Sequence, residues 1–404
     1  MALKWIEGWQ LCRTTLELER KYVLTSSTGS YGFGNLTPHN TNLSPDDYYI
    51  QGSSSAAELT TPPLDPTGQS EWYVGFALYL GSHPGTTSFT QNLVAIGTGT
   101  ADTPEVLSDA NTQVSLTVIP GGGGQSATKY ALAVNLGTST VLADTTTDPV
   151  FGVLEPNQWY YIELGVTIDN TTGSYELRIN ETPAVSGSGD TQNVLSTSNA
   201  DRVKFVLDNQ GGSIARRIDD IYILDGTTDA TASGAGVPNN TFLGESFVEA
   251  LYPVDDGAVT TFSITPGATG THADQVNDSN GLAPDDDNSY VWVSGAGSTS
   301  PQMNLREIFK LSNLQTITGD IKGIMLNVTA KHTTAVTGDN MKAYLLSGTT
   351  PVETTWFTIP TNSTSYDVYS LVYEYNPIST GAWTQDDLSG NPNPPIEMGL
   401  KGLV

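Results

Sequence analysis

The sequence predicts an all-β protein built from two consecutive antiparallel domains. Apolar rows with a period of two recur along the chain, clusters of turn-forming residues separate them, and continuous helical patterning is scarce. At 404 residues the chain is long for one hydrophobic core, so two domains of ordinary size are the natural division. The 41 glycines and 22 prolines are dispersed among Ser, Thr and Asn without a short repeat, which suits turn-rich β-structure and excludes collagen-like order.

The first long periodic strand is Glu71-Trp72-Tyr73-Val74-Gly75-Phe76-Ala77-Leu78-Tyr79-Leu80. Trp72, Val74, Phe76, Leu78 and Leu80 share one face, while Tyr73, Gly75, Ala77 and Tyr79 share the other. That second face is small and aromatic with no charge, so it too is expected to be covered. Further strands are predicted over 93–96, 114–119, 130–134 and 159–168. The run Asp169-Asn170-Thr171-Thr172 reads as an Asx-rich turn leading into a strand that puts Tyr175, Leu177 and Ile179 inward. Strands over 203–207 and 218–224 complete the unit. The latter lies in Arg217-Ile218-Asp219-Asp220-Ile221-Tyr222-Ile223-Leu224-Asp225-Gly226, where two acids open an apolar strand and Asp-Gly closes it.

Residues 226–240 have the Thr, Ala, Ser, Gly and Asn composition of an exposed linker, which divides the chain into domains 1–236 and 237–404. Beyond it a strand over 247–253 should end at Pro253, and others are expected over 260–264, 289–293, 321–330, 342–346 and 365–373. Residues 306–311 fit either a short helical turn or a strand. Ile324, Leu326, Val328 and Ala330 fall on one face. The tail 391–404 begins Pro-rich and ends apolar, as a last strand or an arm on a neighbour.

Sixteen basic residues against 43 acidic ones give a net charge of −27. The excess is shared, 10 against 25 over residues 1–236 and 6 against 18 over 237–404. A nucleic-acid binder needs a clustered basic face, so direct nucleic-acid binding is not expected. Cys12 is the single cysteine and excludes an intrachain disulfide. Glu7 interrupts the N-terminal apolar stretch and no apolar run approaches about 20 residues, so neither a secretion signal nor membrane insertion is expected.

Reactive groups do not cluster in the sequence. Paired carboxylates on one strand would serve glycan hydrolysis, and the one such pair, Glu17 and Glu19 in Leu16-Glu17-Leu18-Glu19, reads as a solvated strand face. Asp219, Asp220 and Asp225, and separately Asp285, Asp286 and Asp287, are candidate calcium ligands because hard cations take converging oxygens. The competing reading of both groups is a turn beside a strand. No other cofactor is implied. His39, His83, His272 and His332 are scattered singly, and Gly121-Gly122-Gly123-Gly124 lacks the lysine of a phosphate loop. Tyr48, Tyr49 and Trp383 are candidate glycan-stacking residues, since sugar faces pack on aromatic rings.

The order of several segments resembles a family of bacteriophage virion proteins with an N-terminal concanavalin A-like (laminin G-like) jelly roll and a C-terminal β-sandwich. The matching pieces are Trp72-Tyr73-Val74-Gly75-Phe76-Ala77, Asn157-Gln158-Trp159-Tyr160-Tyr161-Ile162-Glu163 and Ile218-Asp219-Asp220-Ile221-Tyr222-Ile223-Leu224-Asp225-Gly226. Asn239-Asn240-Thr241-Phe242-Leu243-Gly244, Val248-Glu249-Ala250-Leu251-Tyr252-Pro253 and Pro284-Asp285-Asp286-Asp287-Asn288-Ser289-Tyr290-Val291 also match. Where some relatives carry Trp-Thr-Pro, this chain has Phe262-Ser263-Ile264-Thr265-Pro266. The resemblance implies a concanavalin A-like jelly-roll sandwich followed by a second antiparallel β-sandwich. It implies a non-enzymatic role in the virion, as a head decoration, fibre or tail-associated component assembled in the host cytoplasm. The expected partners are capsid or tail proteins and further copies of the chain in a homo-oligomer. The alternative is a carbohydrate-binding adhesin recognising host or environmental glycans through the jelly-roll loops.

Overall fold

The computed structural model describes residues 2–10, 12, 14–24, 31–34, 48–52, 57–86, 88–99, 107–121, 128–194, 196–207, 215–227, 239–277, 286–292, 305–314, 319–331, 340–347, 350–353, 365–389 and 397–403. The chain folds as an all-β protein: a jelly-roll sandwich followed by a second antiparallel β unit. It separates into two compact units, Met1–Asp229 with Pro238–Val248, and Ala230–Val237 with Glu249–Val404. Residues 239–248, which follow the boundary read from composition, pack with the first unit.

The first unit holds β1 (Leu3–Glu7), β2 (Val23–Leu24), β3 (Tyr31–Gly34), β4 (Tyr49–Gly52), β5 (Glu58–Thr60), β6 (Glu71–Leu80), β7 (Gln91–Gly97) and β8 (Thr112–Pro120). It continues with β9 (Tyr130–Leu136), β10 (Thr140–Asp144), β11 (Gln158–Thr167), β12 (Gly173–Ile179), β13 (Thr182–Gly189), β14 (Arg202–Val206) and β15 (Arg216–Asp225). One sheet runs β13-β12-β11-β6-β15-β4-β3 with β1 also paired to β15; the other runs β10-β9-β8-β7-β14-β5-β2. Every pairing in these two sheets is antiparallel.

The alternation in β6 decides how the sheets stack. Trp72, Val74, Phe76, Leu78 and Leu80 are all fully buried, and Phe76 meets Phe205 of the opposite sheet edge-on with centroids 5.9 Å apart. Each such side chain contributes about 1.5–3 kcal/mol on burial. Leu177 and Ile179 of β12 are fully buried on the same inner side. Between β11 and β12 the Asp169 carboxylate accepts the backbone N–H of Thr171 at 2.8 Å and of Thr172 at 2.7 Å, the expected Asx turn. The next hairpin turns on Asn180 and Glu181, both at positive φ (49° and 65°), the geometry of a two-residue primed turn.

Three local expectations are corrected. Residues 15–21 form a helix, α1 (Thr15–Lys21), and not a strand face: Thr14 caps Glu17 N–H while the Glu17 side chain accepts Thr14 N–H. That reciprocal capping box satisfies two backbone N–H groups at the helix start. The acids Asp219 and Asp220 do not open β15, which begins at Arg216; they form a bulge inside it, with Asp220 at φ 49°. Residues 247–252 are not a strand; pairing begins at Pro253.

The second unit holds β16 (Pro253–Thr260), β17 (Ser263–Ile264), β18 (Val291–Trp292), β19 (Arg306–Leu311), β20 (Ile324–Ala330), β21 (Asn340–Ser347), β22 (Thr350–Glu353), β23 (Asp367–Tyr373), α2 (Gln385–Ser389) and β24 (Glu397–Leu403). A five-stranded sheet runs β16-β19-β24-β21-β22, beside the pairs β17-β18 and β20-β23. Residues 306–311 are therefore strand, and the chain's tail is an interior strand between β19 and β21. Leu326, Val328 and Ala330 enter the core with Phe309, Leu345, Trp383 and Leu400, as the alternation in β20 requires. No helix among the described residues is long and apolar enough to cross a membrane.

Candidate functional site

The outer face of the larger sheet, away from the inter-sheet core, carries the polar and aromatic side chains that the core face excludes. Strand register arranges them in cross-strand rows. At one end Gln51, Arg217, Tyr79 and Trp159 are successive partners across β4, β15, β6 and β11. The Arg217 guanidinium lies over the Tyr49 and Tyr79 rings at 4.4 and 4.6 Å, and Trp159 meets Tyr79 with centroids 5.5 Å apart. At the other end Tyr73, Gly165, Glu176 and Ser186 form one row across β6, β11, β12 and β13, and Thr167, Ser174 and Ser188 form the next.

The segment 239–248 crosses the sheet between these ends. It makes no strand ladder; side-chain oxygens of the sheet receive its backbone N–H groups. Leu243 N–H donates to the Tyr222 hydroxyl at 3.2 Å, Gly244 N–H to Glu163 Oε1 at 2.9 Å, Glu245 N–H to Glu181 Oε1 at 3.0 Å and Val248 N–H to Asp220 Oδ1 at 2.7 Å. Gln10 Nε2 holds the Val248 carbonyl at 2.8 Å. Phe242 stands edge-on to Tyr73 with centroids 5.0 Å apart, and the Arg178 guanidinium lies 4.0 Å from the Phe242 ring centre.

Strap and sheet enclose a groove of about 340 Å³ walled by Tyr73 and Phe242, with Gly165, Thr167, Ser174, Glu176, Ser186 and Ser188 among its lining residues. That volume falls at the lower end of small-ligand sites, about 300–1,000 Å³. Gly165 keeps the floor low because a side chain there would strike the Phe242 and Tyr73 rings. Glu176 Oε1 accepts Arg178 Nε–H at 2.6 Å. The groove thus offers several hydroxyls, one carboxylate and two ring edges.

Beneath the strap, Glu163 is fully buried. Its Oε1 accepts both the Tyr222 hydroxyl and Gly244 N–H, while Oε2 has no hydrogen-bond partner among the described residues. Burial pushes its carboxyl above the usual carboxylate range. Burial likewise pushes the Tyr161 and Tyr222 hydroxyls well up.

The predicted site residues scatter. Asp219 and Asp220 are buried; Asp219 Oδ1 accepts Asp220 N–H at 2.8 Å, and the Asp220 carbonyl accepts the Tyr161 hydroxyl at 3.2 Å. Asp225 is fully buried and paired with Lys4 at 2.8 Å. In the second unit Asp287 is paired with Lys331, and the Tyr366 hydroxyl donates to the Asp286 carbonyl at 3.1 Å; Asp285 lies outside the described residues. Among the described residues no three His, Cys, Asp or Glu side chains are placed to hold a metal ion. Tyr48 is half-buried and Tyr49 is buried under Arg217. Trp383 is a core residue whose Nε1–H donates to the Tyr373 carbonyl at 3.0 Å, a correction to its reading as a stacking platform. Cys12 is buried, and burial pushes its thiol well up, away from nucleophilic use.

Sequence reasoning missed the groove. Tyr73 and Phe242 are separated by most of the first unit, and the row of hydroxyls follows only from register. A usable signal existed in the alternation of Ser174, Glu176, Arg178 and of Ser186, Ser188, which marks one polar face of a hairpin.

No family model matches the chain, and no curated protein matches it. Solved structures resemble its fold. The fourth domain of AbnA, an extracellular GH43 arabinanase from Geobacillus stearothermophilus, solved with arabinotriose, is 13% identical with a TM-score of 0.34, covering 56% of this chain and 94% of that one. A conserved carbohydrate esterase of the Shiga toxin-encoding bacteriophage phi24B is 11% identical with a TM-score of 0.36, covering 56% and 99%. The carbohydrate recognition domain of Emp47p is 10% identical with a TM-score of 0.29, covering 51% and 98%.

Proposed function

We propose that the first unit is a non-enzymatic binding module whose groove takes a neutral, hydroxyl-rich ligand, a segment of a saccharide chain. The observation that carries this is the double row of Thr167, Ser174, Ser186 and Ser188 lying open beside the Tyr73 and Phe242 rings. Hydroxyls and a carboxylate exchange hydrogen bonds with sugar hydroxyls, while ring surfaces cover the C–H edges. Glu176 disfavours an anionic ligand, as does a net charge of −27. A glycosidase would need two carboxylates about 5–9.5 Å apart across the ligand. Glu176 is the one carboxylate among the described residues lining this groove.

The resemblance to virion proteins supplies the setting for this reading: a homo-oligomeric component, joined to capsid or tail proteins, that presents the groove on a particle. Glycan-array binding by the whole protein tests the module directly. Neutral glycans should be retained by the wild type and weakened at least about tenfold in Tyr73→Ala, the loss expected when one ring contact of about 1.4 kcal/mol is removed. Absence of binding to any neutral glycan would refute it.

A further inference from the structure

Phe242 is at once a wall of the groove and an anchored residue of the strap, so whatever seats the strap also builds the groove. The remaining anchors are unusual for a segment on a sheet, because the acceptors are side chains that can change their protonation. Glu163 is central among them. Its Oε1 takes two donors, Tyr222 and Gly244, while its buried Oε2 has none among the described residues. A protonated acid suits that arrangement better, with a neutral carbonyl-like Oε1 accepting both donors and an uncharged Oε2–H as the unpaired group. An ionised carboxylate there would leave a buried negative oxygen without a donor, which costs far more than an uncharged one.

We infer that residues 242–248 form a proton-dependent latch, seated while Glu163 carries a proton and released, taking Phe242 out of the groove, when Glu163 ionises. The consequence for ligand binding rests on the groove reading above; the latch itself does not. The groups facing Glu163 are Tyr222 from β15, Arg178 from β12 and Glu181 from the hairpin tip, with Tyr161 of β11 and Asp220 of the bulge nearby. Both tyrosines are held neutral well beyond their ordinary range, so neither titrates first. Arg178 is occupied by Glu176 and by the face of Phe242, and Glu181 adds a like charge that further disfavours ionisation.

The sign follows from the upward shift. A carboxyl whose folded-state affinity for its proton is raised favours the seated strap at low pH, and that contribution is lost as pH rises through its folded-state value. Amide exchange of Leu243 and Gly244 in the full chain without ligand, corrected for intrinsic rates across pH 5 to 9, reads the latch. Wild-type protection should fall by up to about tenfold for each pH unit between the ordinary carboxyl range and the Glu163 titration and level off at that titration's midpoint, while Glu163→Gln, which mimics the protonated acid, stays flat. The carbon-13 shift of the Glu163 carboxyl in the wild type should titrate with the same midpoint, and this holds the test even if the variant folds poorly. Glu181→Gln should leave the fall in place. Equal protection in wild type and Glu163→Gln at every pH, or a carboxyl that titrates in the ordinary range, overturns the latch. Saccharide binding that is absent while the strap still titrates refutes the groove and leaves the latch standing.

Discussion

Phe242 meets Tyr73 edge-on at 5.0 Å, joining a residue that follows the last strand of the jelly roll to one in its central strand. The contact makes the groove a product of tertiary structure, and it sets the consequences of several substitutions.

Gly75 has no side chain because the Tyr222 ring occupies the space where one would be. Gly75→Ala should push Tyr222 away, remove its hydroxyl from Glu163 and Leu243, and cost about 1–3 kcal/mol by overpacking. Chemical denaturation measures the loss. Exchange at Leu243 should rise with it.

Trp383 is 4% exposed and sits in the core of the second unit. Trp383→Ala should cost that unit about 3–5 kcal/mol and leave glycan binding by the first unit unchanged. Separate unfolding transitions in calorimetry, together with array binding, check both halves of the statement.

Lys4 pairs with Asp225 at 2.8 Å and ties β1 to the end of β15. Lys4→Met should cost about 3–5 kcal/mol, since it strands a buried carboxylate. Stability of the wild type should be unaffected by a calcium chelator, because Lys4 already supplies the opposing charge. Melting temperatures with and without chelator test this directly.

Backbone N–H donation from Thr172 and then Thr171 holds the exposed Asp169 carboxyl down at about 2. A lowered carboxyl contributes stability above its unfolded value and loses it as pH falls through the folded one, so the β11–β12 turn should loosen between about pH 4 and pH 2. Asp169→Asn should remove that dependence. Amide shifts of Thr171 and Thr172 through an acid titration report it.

Much of the fold was legible because burial imposes period-two alternation on strands: β6, β12 and β20 put their predicted faces inward. Helix α1 was legible in principle from Thr14-Thr15-Leu16-Glu17, but the flanking Leu-Glu alternation also fits a strand. The bulge at Asp219 and Asp220 was not, since an extra residue changes register without changing composition. Nor was the strap. Its anchors are Tyr222, Glu163, Glu181 and Asp220, which only the folded sheet gathers, and its own residues read as the start of the next domain.

The measurement that bears most directly on the account is titration calorimetry of a neutral oligosaccharide into the whole protein and into Ser188→Trp. Ser188 is exposed on the outer strand β13 and lines the groove, so the indole fills the ligand's place without disturbing the core. The account predicts binding to the wild type, loss of that binding in the variant, and the same melting temperature for both. Equal affinity in wild type and variant would contradict it.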